Sequence, residues 1–154
     1  MEMIRIHLKA NIMHPDKIIA KQLGLTPGDT IIAPKSDFDI IQHHAIYLGE
    51  DHYGNHFVCE NAYGRGVVMS SLSKFINKYP RLTKIKKLNE PYHRRTAIVR
   101  SALSKLGKPY DLINYNCEHF VNDVVSNKPS SRQIANAFGL IGLALAINFI
   151  SKSR

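Results

Sequence analysis

Asn114-Tyr115-Asn116-Cys117-Glu118-His119-Phe120 decides how the rest of the chain is read. A turn signal, Gly107-Lys108-Pro109-Tyr110-Asp111, precedes it, and an apolar run at helical spacing, Phe120, Val121, Val124 and Val125, follows. That order is loop, then helix start. Asn116 is a good N-cap, because its side-chain oxygen can accept from the free N–H groups of the first turn. Cys117 then becomes the first helical residue, at the positive end of the helix dipole, where thiolate is favoured over thiol. A cysteine so placed is a candidate nucleophile. The chain's other cysteine, Cys59, has no such flank and reads as a small core residue.

A nucleophile needs a base within hydrogen-bond reach and a third group to orient that base. Asn116-Cys117-Glu118-His119-Phe120 resembles the active-site run of the LRAT (lecithin:retinol acyltransferase) family, in which the cysteine is the nucleophile. The segment His43-His44-Ala45-Ile46-Tyr47-Leu48-Gly49 is similar to the family's H-x-A-I-Y block, which holds the catalytic histidine. Pro27-Gly28-Asp29-Thr30-Ile31 resembles the P-G-D-x-I run that begins its first strand. The three blocks stand in the family's order, from residue 27 to about residue 125. The resemblance implies an α+β fold with an antiparallel sheet, a circularly permuted papain-like arrangement related to NlpC-type peptidases. His43 precedes Cys117, as the permuted order requires.

On this resemblance Cys117 is the nucleophile and His43 the base, two residues before Ala45. His44 should point to the opposite face of its strand. The third residue is where the chain departs from the family pattern, which places a second histidine on the next strand. Matching Phe57-Val58-Cys59-Glu60-Asn61 to that strand puts Glu60 at the position, with Asn61 one step away. Strand neighbours face opposite sides, so only one of the two can orient His43. Glu60 is slightly favoured, since a carboxylate would stabilise the imidazolium. His52 and His56 look misplaced by register. His119 lies two residues from Cys117 on one helix, a spacing that does not bring side chains together, and reads as structural. Glu118 suits the helix N-terminus on charge grounds alone. A zinc site from Cys117, His119 and the His43-His44 pair lacks any Cys-x-x-Cys or His-x-x-x-His spacing, and no cofactor is expected. The implied reaction is acyl transfer from glycerophospholipid esters through a Cys117 thioester, with water, amine or alcohol as acceptor. Two other classes remain open: an NlpC-type peptidase or amidase, and a non-catalytic membrane-binding module.

With 154 residues and 44% hydrophobic content the chain is one globular domain by expectation, long enough to bury a core. Two cysteines make no disulfide framework, and residues 1–10 carry Glu2, Arg5 and Lys9 without an apolar core run, so an intracellular protein is expected. The net charge is +9. Much of it clusters in Arg81, Lys84, Lys86, Lys87, Arg94, Arg95, Arg100, Lys105 and Lys108, with only Glu90 opposing. Such a face would attract an anionic membrane surface. The competing reading is a solvated face with no partner. No nucleic-acid motif or interleaved aromatic platform accompanies it, so no nucleic acid is expected. Oligomeric state is not legible.

Taken in order, Ile4–Leu8 alternates like a short strand and Pro15 to Leu23 reads as a helix ended by Gly24. Strands are expected over Thr30–Ala33, Gln42–Leu48, His56–Asn61 and Val67–Met69. Pro34–Asp39 and Gly49–Asn55 connect them. Ser70 or Ser71 caps a helix through Ile76, Leu82–Leu88 forms an edge strand, and Pro91–Leu106 is helical. The nucleophile helix runs from Cys117 to about Ser126. Residues 1–130 are thus a catalytic domain and 131–154 an apolar tail. Ile134 to Ile150 is interrupted only by Asn136 and Asn148, at the short limit for a membrane span of ~20 residues. The alternative is a helix packed on the domain or in a dimer.

Overall fold

The computed structural model describes residues 14–35 and 41–152. The strand expected at Ile4–Leu8 and most of the loop to Asp39 lie outside the described residues. Helix α1 (Pro15–Gln22) leads into β1 (Thr30–Pro34), β2 (Gln42–Glu50), β3 (His56–Ala62) and β4 (Gly66–Ser71). Helix α2 (Leu72–Lys78), strand β5 (Lys84–Lys86), and helices α3 (Tyr92–Ser104), α4 (Cys117–Ser126) and α5 (Arg132–Lys152) follow. The strands form one five-stranded sheet in the order β4-β3-β2-β1-β5. Every neighbouring pair is antiparallel. β5 sits at an edge, as its alternating sequence predicts.

Period-2 alternation divides the sheet's side chains between two apolar layers. Ile46, Cys59 and Val67 pack on one face with Ile98 and Ala102 of α3 and Phe120, Val121 and Val124 of α4. Ala45, Tyr47 and Val58 pack on the other with Ala20 of α1 and Leu72 and Phe75 of α2. Covering both faces buries the middle of β2 from His43 to Tyr47. β2 also runs two residues beyond its expected end at Leu48. Its register against β3 shifts between Tyr47 and Gly49, and Gly49, with φ +107°, accommodates the bulge.

Pro27-Gly28-Asp29 is more than a turn. Gly28 has φ +90°, and a Cβ there would lie 2.8 Å from Leu88 Cδ2. Asp29 is fully buried. Its Oδ2 accepts from Thr26 N at 3.0 Å and Lys87 Nζ at 3.1 Å, and its Oδ1 from Leu88 N at 2.9 Å. Arg95 Nη1 lies 3.4 Å from the same Oδ1. One carboxylate thus ties β1 to the connection between β5 and α3. Burial would raise its pKa, but the Leu88 and Thr26 N–H groups and Lys87 outweigh it and hold it below the ordinary value. Asp29→Ala should therefore cost about 3–5 kcal/mol, the usual loss when a buried pair is broken from one side, measured by urea unfolding at neutral pH. Because the folded pKa is depressed, this contribution is present above the ordinary carboxylate value and fades as pH falls through it. The wild-type and variant midpoints should converge in acid.

The same contacts give part of the expected basic face partners within the chain. Lys87, half exposed, and Arg95 both pair with the buried Asp29. Lys105 pairs with Asp123 at 2.7 Å, and Arg94 donates to Val125 O. The opposing carboxylates come from distant parts of the chain, so the local sequence overstates the charge available to an external partner.

Candidate active site

Asn116 caps α4 as expected. Its Oδ1 accepts from Glu118 N at 2.9 Å and His119 N at 3.1 Å. His119 Nδ1 in turn accepts from Asn116 N at 3.3 Å. This is a capping box in which histidine takes the place usual for Glu or Gln, and it gives His119 its structural role. Accepting at Nδ1 requires the neutral ring, and burial keeps the pKa of His119 low. Asn127, in the left-handed conformation at φ 53°, ends the helix. Cys117 is consequently the first residue of α4, 3% exposed, with α4 lying across β2 and β3.

His43 is fully buried on β2. Its Nε2 lies 2.5 Å from Glu60 Oε2. The ring stacks on Tyr79 at 4.8 Å between centroids, and Phe75 lies beyond at 6.1 Å. Glu60 is held on its other oxygen by Arg65 at 3.5 Å. Asn61, one step along β3, is turned away: its Nδ2 donates to Tyr115 O at 2.6 Å. The structure brings Glu60, not Asn61, to the His43 ring, while Asn61 holds the loop that leads into Cys117. His56 does not reach the site; its Nδ1 lies 2.5 Å from the Tyr47 hydroxyl.

The Cys117 thiol donates to Gln42 O at 3.6 Å, across 75 positions of sequence. His43 Nδ1 is buried without a hydrogen bond of normal geometry. The ring and the sulfur nonetheless interact closely enough to shift each other's protonation. For Cys117, burial favours the thiol, but the His43 ring, the His44 backbone N–H and the Lys35 charge outweigh it, and its pKa is lowered. For His43, burial favours the neutral ring, but Cys117 and Glu60 outweigh it, and its pKa is raised. Opposite shifts in adjacent groups favour a thiolate–imidazolium pair. Cys59 is different: burial, with the nearby Glu60 charge, pushes its thiol up to about 12. His44, on the opposite face, is driven down to about 4 chiefly by burial, so it stays neutral. Iodoacetamide at neutral pH should therefore label Cys117 at least about a hundredfold faster than Cys59, as their thiolate fractions dictate. Peptide mapping of the labelled, folded protein checks this.

Sequence reasoning missed several groups around the sulfur: the Gln42 carbonyl, the His44 N–H, Lys35 and Tyr79. None carries a local motif; strand register brings them together. The role of Glu118 was also too narrowly drawn. Its Oε2 accepts from Ser131 Oγ at 2.7 Å and Gln133 N at 3.1 Å, so it joins the starts of α4 and α5. A cavity of about 560 Å³ bounded by Lys17, Lys21, Tyr47 and His56 does not include Cys117 or His43.

Comparison with curated protein sequences gave no match. The family model for lecithin retinol acyltransferase matches residues 24–130, from the end of α1 to just before α5. That span holds every strand among the described residues, the His43–Glu60 pair and the whole of α4, and the chain accordingly belongs to the lecithin retinol acyltransferase family, whose members are broadly acyl-transferring enzymes.

Proposed function

We propose that the chain takes acyl groups from glycerophospholipid esters through a thioester on Cys117. The observation that carries this reading is the shared geometry of the thiol at the start of α4 and the buried His43–Glu60 pair. The Cys117 thiolate attacks the ester carbonyl. The backbone N–H of Cys117, at the positive end of α4, helps hold the oxyanion. His43 gives its proton to the departing lysophospholipid oxygen, then takes one from the acceptor that attacks the thioester. Glu60 keeps the imidazole oriented and balances its charge. Water as acceptor makes the protein a phospholipase A; an amine or alcohol makes it an acyltransferase. The order of His43 and Cys117 along the chain supports a circularly permuted papain-like arrangement.

Incubation with a short-chain phosphatidylcholine should add one acyl mass to Cys117, removable by hydroxylamine. Absence of the adduct under conditions where lipid is consumed would sink the thioester mechanism. Cleavage of peptides with lipids untouched would mark an NlpC-type amidase instead.

α5 supplies the reason to expect a lipid. It has 21 residues, about 31 Å at 1.5 Å per residue, against a hydrocarbon core of about 30 Å. It is long and apolar enough to cross a membrane, with none of its residues buried. Phe138, Leu140, Ile141, Leu143, Leu145, Ile147, Phe149 and Ile150 are all exposed. Among the described residues no apolar face of the domain covers the tail, which supports the membrane reading over the alternative of a helix packed on the domain. We read 131–154 as a membrane-associating tail and 1–130 as the catalytic domain. Deleting 134–154 should lower sedimentation with anionic vesicles by at least about tenfold, since each large apolar side chain contributes ~1.5–3 kcal/mol on burial. Equal sedimentation of the two proteins would reject the tether.

A further inference from the structure

The first turn of α5 touches the site directly, and Gln133 makes the contact. Its Oε1 accepts from Gln42 N at 2.9 Å, and its Nε2 donates to Gln42 O at 3.2 Å. Strand geometry explains why a side chain is needed there. Lys35 donates to Ile41 O, so by antiparallel alternation the N–H and C=O of Gln42, paired with Pro34, point away from β1. On the far side, the pairing of β2 with β3 runs only as far as Ala45↔Glu60. The carboxamide of Gln133 has one acceptor and one donor, and it occupies the place of a strand neighbour. The carbonyl it holds is the one that receives the Cys117 thiol.

Gln133 is itself held. Its backbone N–H donates to Glu118 Oε2. Ser131, which caps α5 by accepting from Ile134 N at 3.3 Å, donates to the same carboxylate oxygen at 2.7 Å. Asn116, the cap of α4, donates from Nδ2 to Ser131 Oγ at 3.3 Å. The caps of the two helices are thus bonded to each other, with Glu118 between two positive helix ends.

We propose that Gln133 is a positioning residue for the Cys117 thiol, fixing the Gln42 peptide that cradles the sulfur and thereby fastening the apolar helix α5 to the reacting group. This rests on the thiol chemistry proposed above. Besides accepting from Gln42 N, Gln133 donates to Gln42 O and so draws on a lone pair that the thiol hydrogen would otherwise use. Removing it makes Gln42 O a better acceptor for S–H, which favours the thiol. The other groups that act on the sulfur are His43 with Glu60 behind it, the His44 N–H, Lys35, Tyr79 and Tyr110, and the substitutions below leave all of them in place.

The test uses the full chain in detergent micelles, with Gln133→Met, which keeps the side-chain length and loses the two bonds to Gln42 together with the longer one, 3.5 Å, to Glu118 Oε2. Asn122→Ala is the control: Asn122 donates to Ser130 O at 2.8 Å and so steadies the same connection without touching Gln42. Iodoacetamide labelling of Cys117 is followed against pH. In Gln133→Met the labelling midpoint should rise and the neutral-pH rate fall about fivefold, the effect of losing one neutral hydrogen bond. kcat for short-chain phosphatidylcholine should fall with KM unchanged. Asn122→Ala should leave the midpoint in place. An unmoved midpoint in Gln133→Met, or an equal shift in Asn122→Ala, overturns the proposal. If Gln133→Met gives no cooperative melt, hydrogen exchange on the wild-type chain decides: a protected Gln42 N–H supports the clasp, and a freely exchanging one rejects it. Labelling needs no lipid. A wild-type thiol with an ordinary midpoint would therefore count against the acyl-transfer reading while the comparison between variants stood.

Discussion

Cys117→Ser should reduce turnover of short-chain phosphatidylcholine by about a thousandfold or more and remove the acyl adduct, and His43→Gln should come close to it, as members of one catalytic unit do. The serine hydroxyl is a far weaker acid than the thiol, so the raised pKa of His43 would no longer suffice to create the nucleophile. Glutamine is preferred to alanine at position 43 because His43 is fully buried and Glu60 is 2% exposed. A buried carboxylate stripped of its partner would destabilise the fold by several kcal/mol and confuse the result, whereas the glutamine amide can still donate to it. Circular dichroism melts within a few degrees of wild type, combined with lost turnover, are the expected outcome. Full activity in a folded His43→Gln protein would end the mechanism.

Glu60→Gln should lower kcat by about a hundredfold, since the orienting group acts through the base rather than on the substrate. Its second signature is in the pH profile. Turnover rises as Cys117 deprotonates, below the usual thiol range, and falls as His43 loses the proton it must give, above the usual imidazole range. Neutralising position 60 removes one of the two influences that raise His43, so the basic limb should move to lower pH and the bell should narrow. Asn61→Ala should behave otherwise. It strips Tyr115 O of its donor and should cost about 1–3 kcal/mol of stability, with the pH profile of the folded protein unchanged. A narrowed bell in Asn61→Ala and not in Glu60→Gln would reverse the assignment of the third residue.

These outcomes follow the line between what was legible in the sequence and what was not. Helix α4 was read with both ends right because its caps are local: Asn116 precedes it and Asn127 closes it. The strands were placed between turn signals, their antiparallel arrangement was implied by the family resemblance, and Ser71 does cap α2. The choice between Glu60 and Asn61 could not be made locally. Alternation says that the two face opposite ways, but the register that pairs Ala45 with Glu60 decides which face meets His43. The bulge at Gly49 escaped notice because its cause is tertiary: Gly28 N donates to Tyr47 O, and Tyr47 N donates to Asp29 O. The pairing of Lys87 and Arg95 with Asp29 escaped for the same reason, and so did the bond between Gln133 and Gln42, 91 positions apart. Local signals place single elements; the contacts that tune the sulfur all join distant ones.

The 75 positions between the thiol and the strand that receives it also set when reactivity arises. β2, β3 and β4 are joined by short hairpins, and contacts of that kind form ahead of those that must close a long loop. Until α4 docks, Asn116 caps at most a fraying turn, and the His43 ring that favours the thiolate is not beside Cys117. On the proposed chemistry, a growing or partly folded chain therefore carries no acylating centre among the lipids and thiols around it. That chemistry waits for a long-range closure, and a variant that delays this docking should delay the appearance of the reactive thiolate equally.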